Sequence, residues 1–226
     1  MDFNQYRNSY VNTIEESLRF SGKEHDFFTR IKADFLGEIV EACLPGVPHP
    51  KLLDVGCGHG LIHAHLKNKK WEIVGVEVAD AVIELAKAAN PDVQYHAHDG
   101  KTLPFLAGQF DVVMAICVMH HVVPADWIDF LNEMKRMLRP GGIAVVFEHN
   151  PYNPWTRYIV ANNVLDEDAV LLSSRTLKKM MHQVGYRSVK SRNILFTPFA
   201  HGFFRWLDKV LGWLPIGAQY YSIGRV

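Results

Sequence analysis

The sequence predicts an α/β fold built on a doubly wound, mostly parallel sheet. Two observations predict it. Short apolar runs alternate with stretches of helical spacing along most of the chain. Those runs also lack strict polar alternation, as strands buried on both faces do.

Each element follows in order. Residues 1–50 read as helix, with Ile31, Phe35, Ile39 and Val40 on one face and Pro45-Gly46-Val47-Pro48 ending the segment. Strands are expected at 51–55, 71–76, 93–97, 110–118 and 143–147, with helices at 61–69, 79–89 and 125–138 between them. Asn150-Pro151-Tyr152-Asn153-Pro154 cannot be helix interior. Ser174 caps a helix running to about Val184, closed by Gly185. Residues 186–196 read as a strand and 218–226 as a final one. Between them, 199–214 forms an amphipathic stretch. It sets Phe203, Phe204, Leu207, Val210, Leu211 and Leu214 at helical spacing and Arg205, Asp208 and Lys209 on other faces.

Composition bounds the function. A chain of 226 residues, 48% hydrophobic and 21% charged, holds one large domain or one domain with a cap and needs no disulfides. Cys43, Cys57 and Cys117 exclude a disulfide scaffold and show no paired metal spacing. The polar opening stretch is no signal peptide, and no apolar run reaches the ~18 residues of a membrane span. A soluble, cytoplasmic protein is therefore expected. Zero net charge argues against nucleic-acid binding through bulk charge. Residues 151–226 nevertheless carry 10 basic against 4 acidic groups and 12 of the 26 aromatic residues. That imbalance suits an anionic partner as well as it suits ordinary surface variation.

The sharpest local feature is Leu52-Leu53-Asp54-Val55-Gly56-Cys57-Gly58-His59-Gly60, a buried strand running into three glycines and then a helix. Glycine permits the sharp turn and a close ligand approach, at the carboxyl end of the strands beside a helix N-terminus. The spacing is G-x-G-x-G, whereas dinucleotide binders use G-x-G-x-x-G. Asp54 beside the turn disfavours a diphosphate and suits an ammonium or sulfonium group. S-adenosylmethionine carries both cations and no phosphate. Glu77, at the end of the second strand, can accept hydrogen bonds from two ribose hydroxyls, and Asp99, after the third, can accept an adenine amino group.

Val55-Gly56-Cys57-Gly58-His59-Gly60, Glu77, His98-Asp99-Gly100, Phe110-Asp111-Val112-Val113 and Leu138-Arg139-Pro140-Gly141-Gly142 resemble the ordered motifs of class I S-adenosylmethionine-dependent methyltransferases. The resemblance covers roughly residues 48–150. It implies a Rossmann-like sheet of seven strands whose last runs antiparallel, with N-terminal helices and a C-terminal cap. It also implies S-adenosylmethionine as cofactor. Asp54, Gly56, Cys57, Gly58 and Gly60 would serve its methionine end, Glu77 and Val78 its ribose, and Asp99 and Gly100 its base. Ile116, Cys117 and Val118 would line the methyl end, and 138–142 would form the turn into strand five. The whole chain then reads as one domain, with a helical lid at 1–47, a cofactor core at 48–150 and an acceptor-side cap at 151–226. By the same resemblance Tyr6 or Tyr10 would reach the site from the lid, although these aromatics could equally dock the first helix on the sheet.

Methyl transfer to a hydroxyl needs a proton acceptor, so bases at the tips of strands four and five become candidates. These are His120, His121 and His149, or the histidines simply cap loops. Asn150 and Tyr152, just beyond, are candidates for acceptor contact. Twelve histidines raise the question of a metal. His63 and His65 diverge on a helix, and His59 and His63 or His96 and His98 come without a supporting motif, so no metal is expected. Cys117-Val118-Met119-His120 stands where an Asn-Pro-Pro-Tyr motif would follow strand four, which argues against amino methylation of DNA or glutamine. A small-molecule, sugar-type or lipid-type acceptor methylated on oxygen or carbon is favoured. The alternatives are an NAD-dependent oxidoreductase and a non-catalytic binder of S-adenosylmethionine. The 199–214 stretch reads as core, as a substrate lid or homodimer face, or as a membrane contact.

Overall fold

The computed structural model describes residues 25–197, 199 and 202–226; Tyr6 and Tyr10 lie outside the described residues. The strands are β1 (Lys51–Val55), β2 (Glu72–Glu77), β3 (Gln94–Ala97), β4 (Phe110–Ile116), β5 (Leu138–His149), β6 (Arg187–Ile194) and β7 (Gln219–Arg225). They form one seven-stranded sheet in the order β3-β2-β1-β4-β5-β7-β6. β1 to β5 pair in parallel, and β7 runs antiparallel to both β5 and β6.

The helices are α1 (His25–Cys43), α2 (Leu61–Leu66), α3 (Asp80–Ala89), α4 (Trp127–Met137), α5 (Pro154–Asn162), α6 (Ser174–Val184) and α7 (Gly202–Leu211). Successive strand residues point to opposite faces, so each central strand feeds two cores. Leu53, Val113 and Val146 join Trp127, Leu131 and Met134 of α4 and Leu177 and Met181 of α6. Leu52, Val112 and Val145 join Ile31, Phe35 and Leu36 of α1 and Ile62 and Leu66 of α2. This two-sided burial is why the strands carry apolar residues without alternation. No helix among the described residues is long and apolar enough to cross a membrane.

Four local expectations change. β4 stops at Ile116, because Cys117 turns the chain with a φ of 57°, in the left-handed region. The Leu138–Gly142 segment is not a turn before β5 but a bulged stretch within it. The register with β4 shifts between the pairs Phe110–Leu138 and Val112–Ile143, and Gly141 adopts a φ of 80°. The cap of α6 is Ser173, whose side chain accepts the Thr176 N–H. α5 has no apolar stripe long enough to announce it; Asn153 caps it by accepting the Thr156 N–H, and Pro154 opens it.

α7 does not bury its apolar stripe: Phe204, Leu207, Leu211 and Leu214 are only half-buried and Val210 is exposed. Phe203 is 62% exposed and Trp206 56%, while Asp208 is buried. The Asp208 carboxylate accepts the Phe196 N–H at 2.9 Å, tying the helix to the end of β6, and Arg205 lies over the Phe35 ring. Asp208 and Arg205 thus fasten this helix, while Phe203 and Trp206 stay outside the core.

Gly142 has no room for a side chain: a Cβ there would stand 2.9 Å from the Asp111 carbonyl oxygen and 3.0 Å from that of Arg139. Gly142→Ala should cost about 1–3 kcal/mol through forced backbone movement. Urea denaturation would show a lowered midpoint at constant slope; an unchanged midpoint would mean that the bulge yields freely.

Candidate active site

The carboxyl ends of the parallel strands open on a cavity of about 530 Å³. It lies where the sheet order reverses between β1 and β4, the crevice in which open α/β sheets bind ligands. His25, Phe28, Thr29 and Lys32 of α1 cover it.

One half is built on the glycine turn. Gly56, Gly58 and Gly60 have φ values of 73°, 52° and 66°. A Cβ on Gly56 would meet Val118 at 2.6 Å, so glycine lets the β1 and β4 tips close on each other. Gly56, Cys57 and Gly58 line the cavity. Gly60 lies behind it and begins α2, where a side chain would strike the Tyr95 hydroxyl. Asp54 is buried, with Oδ2 3.0 Å from Nε2 of His63. The other nitrogen of that ring is 2.7 Å from the Tyr95 hydroxyl. Asp54 Oδ1 is buried with no hydrogen-bond partner among the described residues, and Asp54 lines the cavity.

Glu77 ends β2 and ties it to the turn. Its carboxylate accepts N–H groups from Gly58 at 3.0 Å, Val78 at 2.8 Å and Ala79 at 3.3 Å. Burial nevertheless raises its pKa above the ordinary carboxylate value, the three donors only moderating the shift. Asp99 is exposed; one of its oxygens accepts the Lys101 and Thr102 N–H groups, which hold its pKa low. Val78, Gly100, Ile116, Cys117 and Val118 complete this half.

The other half is a buried polar cluster. Glu148 is fully buried at the end of β5. Its Oε1 accepts the N–H groups of Val118 at 3.1 Å and Met119 at 2.7 Å, and its Oε2 lies 2.6 Å from Nδ1 of His120. Nε2 of His120 faces Asp166 Oδ1 at 3.4 Å. Burial alone would strip the proton from His120, but Glu148 and then Asp166 override it and raise the pKa to about 10. Glu148 and Asp166 stay below the carboxylate range despite burial, held there by His120. The rings of His121 and His149 lie 4.1 and 5.1 Å from that of His120. Burial and then the His120 charge push both down to about 4. At neutral pH the site thus holds one imidazolium between two neutral imidazoles.

Of the residues expected from sequence, all three histidines line the cavity. Asn150 and Tyr152 do not. Asn150 is buried, its amide donating to the Pro215 and Gly217 carbonyls, and the turn that it anchors leaves Tyr152 63% exposed on the outside. His65 pairs with Asp26 and His96 meets Phe105 edge-on, so neither reaches the cavity. Lys32, Thr156, Asp166 and Gln219 do line it. Lys32 had a signal, being a lysine four residues from Phe28 and Leu36 on the buried face of α1. Asp166 had none, since it sits in an acidic turn far along the chain from its partners.

The relatives fit this geometry. Residues 53–146 match the methyltransferase domain family. A demethylmenaquinone methyltransferase of Beutenbergia cavernae is 28% identical over 170 residues, spanning 65% of this chain and 70% of that protein. A ubiquinone biosynthesis O-methyltransferase of Dinoroseobacter shibae is 26% identical over 192 residues, spanning 77% and 75%. The fold matches that of an S-adenosylmethionine-dependent methyltransferase of Thermotoga maritima, with a TM-score of 0.69 at 20% identity over 99% of this chain and 97% of the other. Residues 53–146 thus form a methyltransferase domain of the class I type, and the chain is an S-adenosylmethionine-dependent methyltransferase. Its cofactor is S-adenosylmethionine, and the NAD reading falls with that assignment. The donor set of this methyltransferase suits that molecule. Carboxylates at three strand ends and an unpartnered buried oxygen on Asp54 favour a cationic ligand bearing hydroxyls and an amino group.

Because the folded pKa of His120 lies above its ordinary 6.5, its stabilisation is whole below that pH and is lost as pH rises toward about 10. Nitrogen-15 NMR of the imidazoles in metal-free protein should show His120 doubly protonated at neutral pH, with His121 and His149 neutral until the pH nears 4. A neutral His120 at neutral pH would contradict the ion-pair geometry.

Proposed function

We propose that this methyltransferase methylates an oxygen, or an acidic carbon, of a small amphipathic acceptor of the lipid or quinone type. The observation that carries the reading is the pair of neutral imidazoles, His121 and His149, flanking a charged one at the β4 and β5 tips. A neutral imidazole takes a proton from a hydroxyl or carbon acid; the imidazolium of His120 does not. His120 is thus a positioning residue, and His121 or His149 is the proton acceptor.

Bound S-adenosylmethionine supplies an activated methyl group. The chain's own residues hold it and keep water out. Asp54 Oδ1 suits its ammonium, Glu77 its ribose hydroxyls and Asp99 its base, with Gly56, Cys57 and Gly58 giving close approach of the backbone. α1 serves as part of the lid, residues 48–150 as the cofactor core and 151–226 as the acceptor side of one domain. The amphipathic acceptor is supported by the quinone-pathway names of the two relatives. It is also supported by the exposed Phe203 and Trp206 of α7 and by the exposed Trp213 and Trp155 in the chain's basic third. Tryptophan and basic side chains suit peripheral contact with a membrane that holds such an acceptor.

Labelled methyl from S-adenosylmethionine should appear in the lipid or quinone fraction of a cell extract, and one of His121→Ala and His149→Ala should lower turnover about 100-fold or more at saturating cofactor. Label in nucleic acid or protein would overturn the acceptor class; two unimpaired variants would overturn the proton-acceptor role. Separately, Glu77→Ala should weaken S-adenosylhomocysteine binding in calorimetry by about 10- to 100-fold, the scale of hydrogen bonds to a charged group. Unchanged affinity would remove the ribose assignment.

A further inference from the structure

His120, His121 and Asp166 meet at the wall of the cavity although Asp166 comes from a turn far along the chain. Asp166 Oδ1 lies 3.4 Å from His120 Nε2 and 3.5 Å from His121 Nε2. One ligand atom from each of the three residues falls within 4.8 Å of the others. These separations exceed the usual N–H···O range of about 2.7–3.2 Å. The two imidazole–carboxylate distances match donors sharing one tetrahedral ion, since bonds of about 2.1 Å at the tetrahedral angle set ligand atoms about 3.4 Å apart.

The residues behind the cluster point the same way. Glu148 holds Nδ1 of His120 at 2.6 Å, which aims Nε2 at Asp166. Asn163 donates to Asp166 Oδ2 at 2.7 Å, which leaves Oδ1 for another partner. The Val170 N–H donates to the His120 carbonyl at 2.8 Å, fixing the acidic turn against the β4 tip. Ligating histidines and carboxylates are held by outer partners of this kind.

We propose that His120 Nε2, His121 Nε2 and Asp166 Oδ1 hold a divalent transition-metal ion of the zinc type, with the fourth position open to the cavity. Two imidazoles and one carboxylate select such an ion over magnesium or calcium. The ion takes the place of the proton on His120 Nε2, and the carboxylates of Glu148 and Asp166 match its charge. Its use rests on the acceptor reading above: an acceptor oxygen in the open position becomes more acidic. Its binding does not rest on that reading.

The test is titration of chelator-stripped protein with Co²⁺, whose tetrahedral complexes absorb visible light. A band saturating at one ion per chain and displaced by Zn²⁺ is expected. Asp166→Asn and His121→Ala should each weaken binding by more than about tenfold, because losing even an outer partner costs about 10- to 100-fold. His96→Ala, altering a ring that meets Phe105 edge-on, should leave it unchanged. Two substituted ligands keep the test decisive if one variant fails to fold. No band, or a band surviving both substitutions, overturns the site. S-adenosylhomocysteine calorimetry on the same samples separates the failures: retained binding without cobalt absorption ends the metal proposal and leaves the methyltransferase reading intact.

Discussion

Glu148 is the group on which the acceptor half of the cavity depends. A fully buried carboxylate is costly unless it is paired and hydrogen-bonded, and this one is both. It gathers the Val118 and Met119 N–H groups and the His120 imidazole, three partners from the tip of the neighbouring strand. Those bonds hold the chain after the left-handed turn at Cys117, place His121 beside His120 and leave His120 Nε2 facing Asp166. Removing one member of such a pair strands a buried charge, at about 3–5 kcal/mol in comparable cases.

The cofactor half repeats the device. Glu77 accepts N–H groups from the glycine turn and from the start of α3, and Asp99 accepts two from the loop after β3. At three strand ends a carboxylate therefore fastens a loop whose backbone would otherwise lack a partner. Glu77 and Asp99 also line the cavity, so there fold and cavity wall are built by the same side chains. Asp54 differs in spending one oxygen on His63 and keeping the other unpartnered among the described residues.

The C-terminal third supplies the outer parts. α5 and the turn after it bring Thr156 and Asp166 to the cavity, while Asn150 and Asn153 clamp the segment before β7 through its carbonyls. α7 is fastened by Asp208 and Arg205, which leaves Phe203 and Trp206 exposed. Hydrogen bonding to the open end of β6 outweighed the burial of an exposed stripe, because an unmet buried N–H costs about 1–3 kcal/mol.

Much of this was legible in the residues themselves. The strand order of apolar runs, the glycine turn and the acidic residues at three strand ends are local patterns, set by neighbours in sequence through backbone geometry and two-sided burial. They sufficed for the fold class and the cofactor, and most of the residues expected around it line the cavity. What the sequence could not decide was charge and direction. His120 and His121 are adjacent and chemically identical, yet one is held charged and the other neutral, because only one faces Glu148. The exposure of Phe203 and Trp206 on α7, the burial of Asn150 and the arrival of Asp166 depend on partners distant in sequence. Hydrophobic spacing fixes which faces can be buried; only the assembled tertiary structure decides which polar groups meet, and those meetings set protonation, orientation and chemistry.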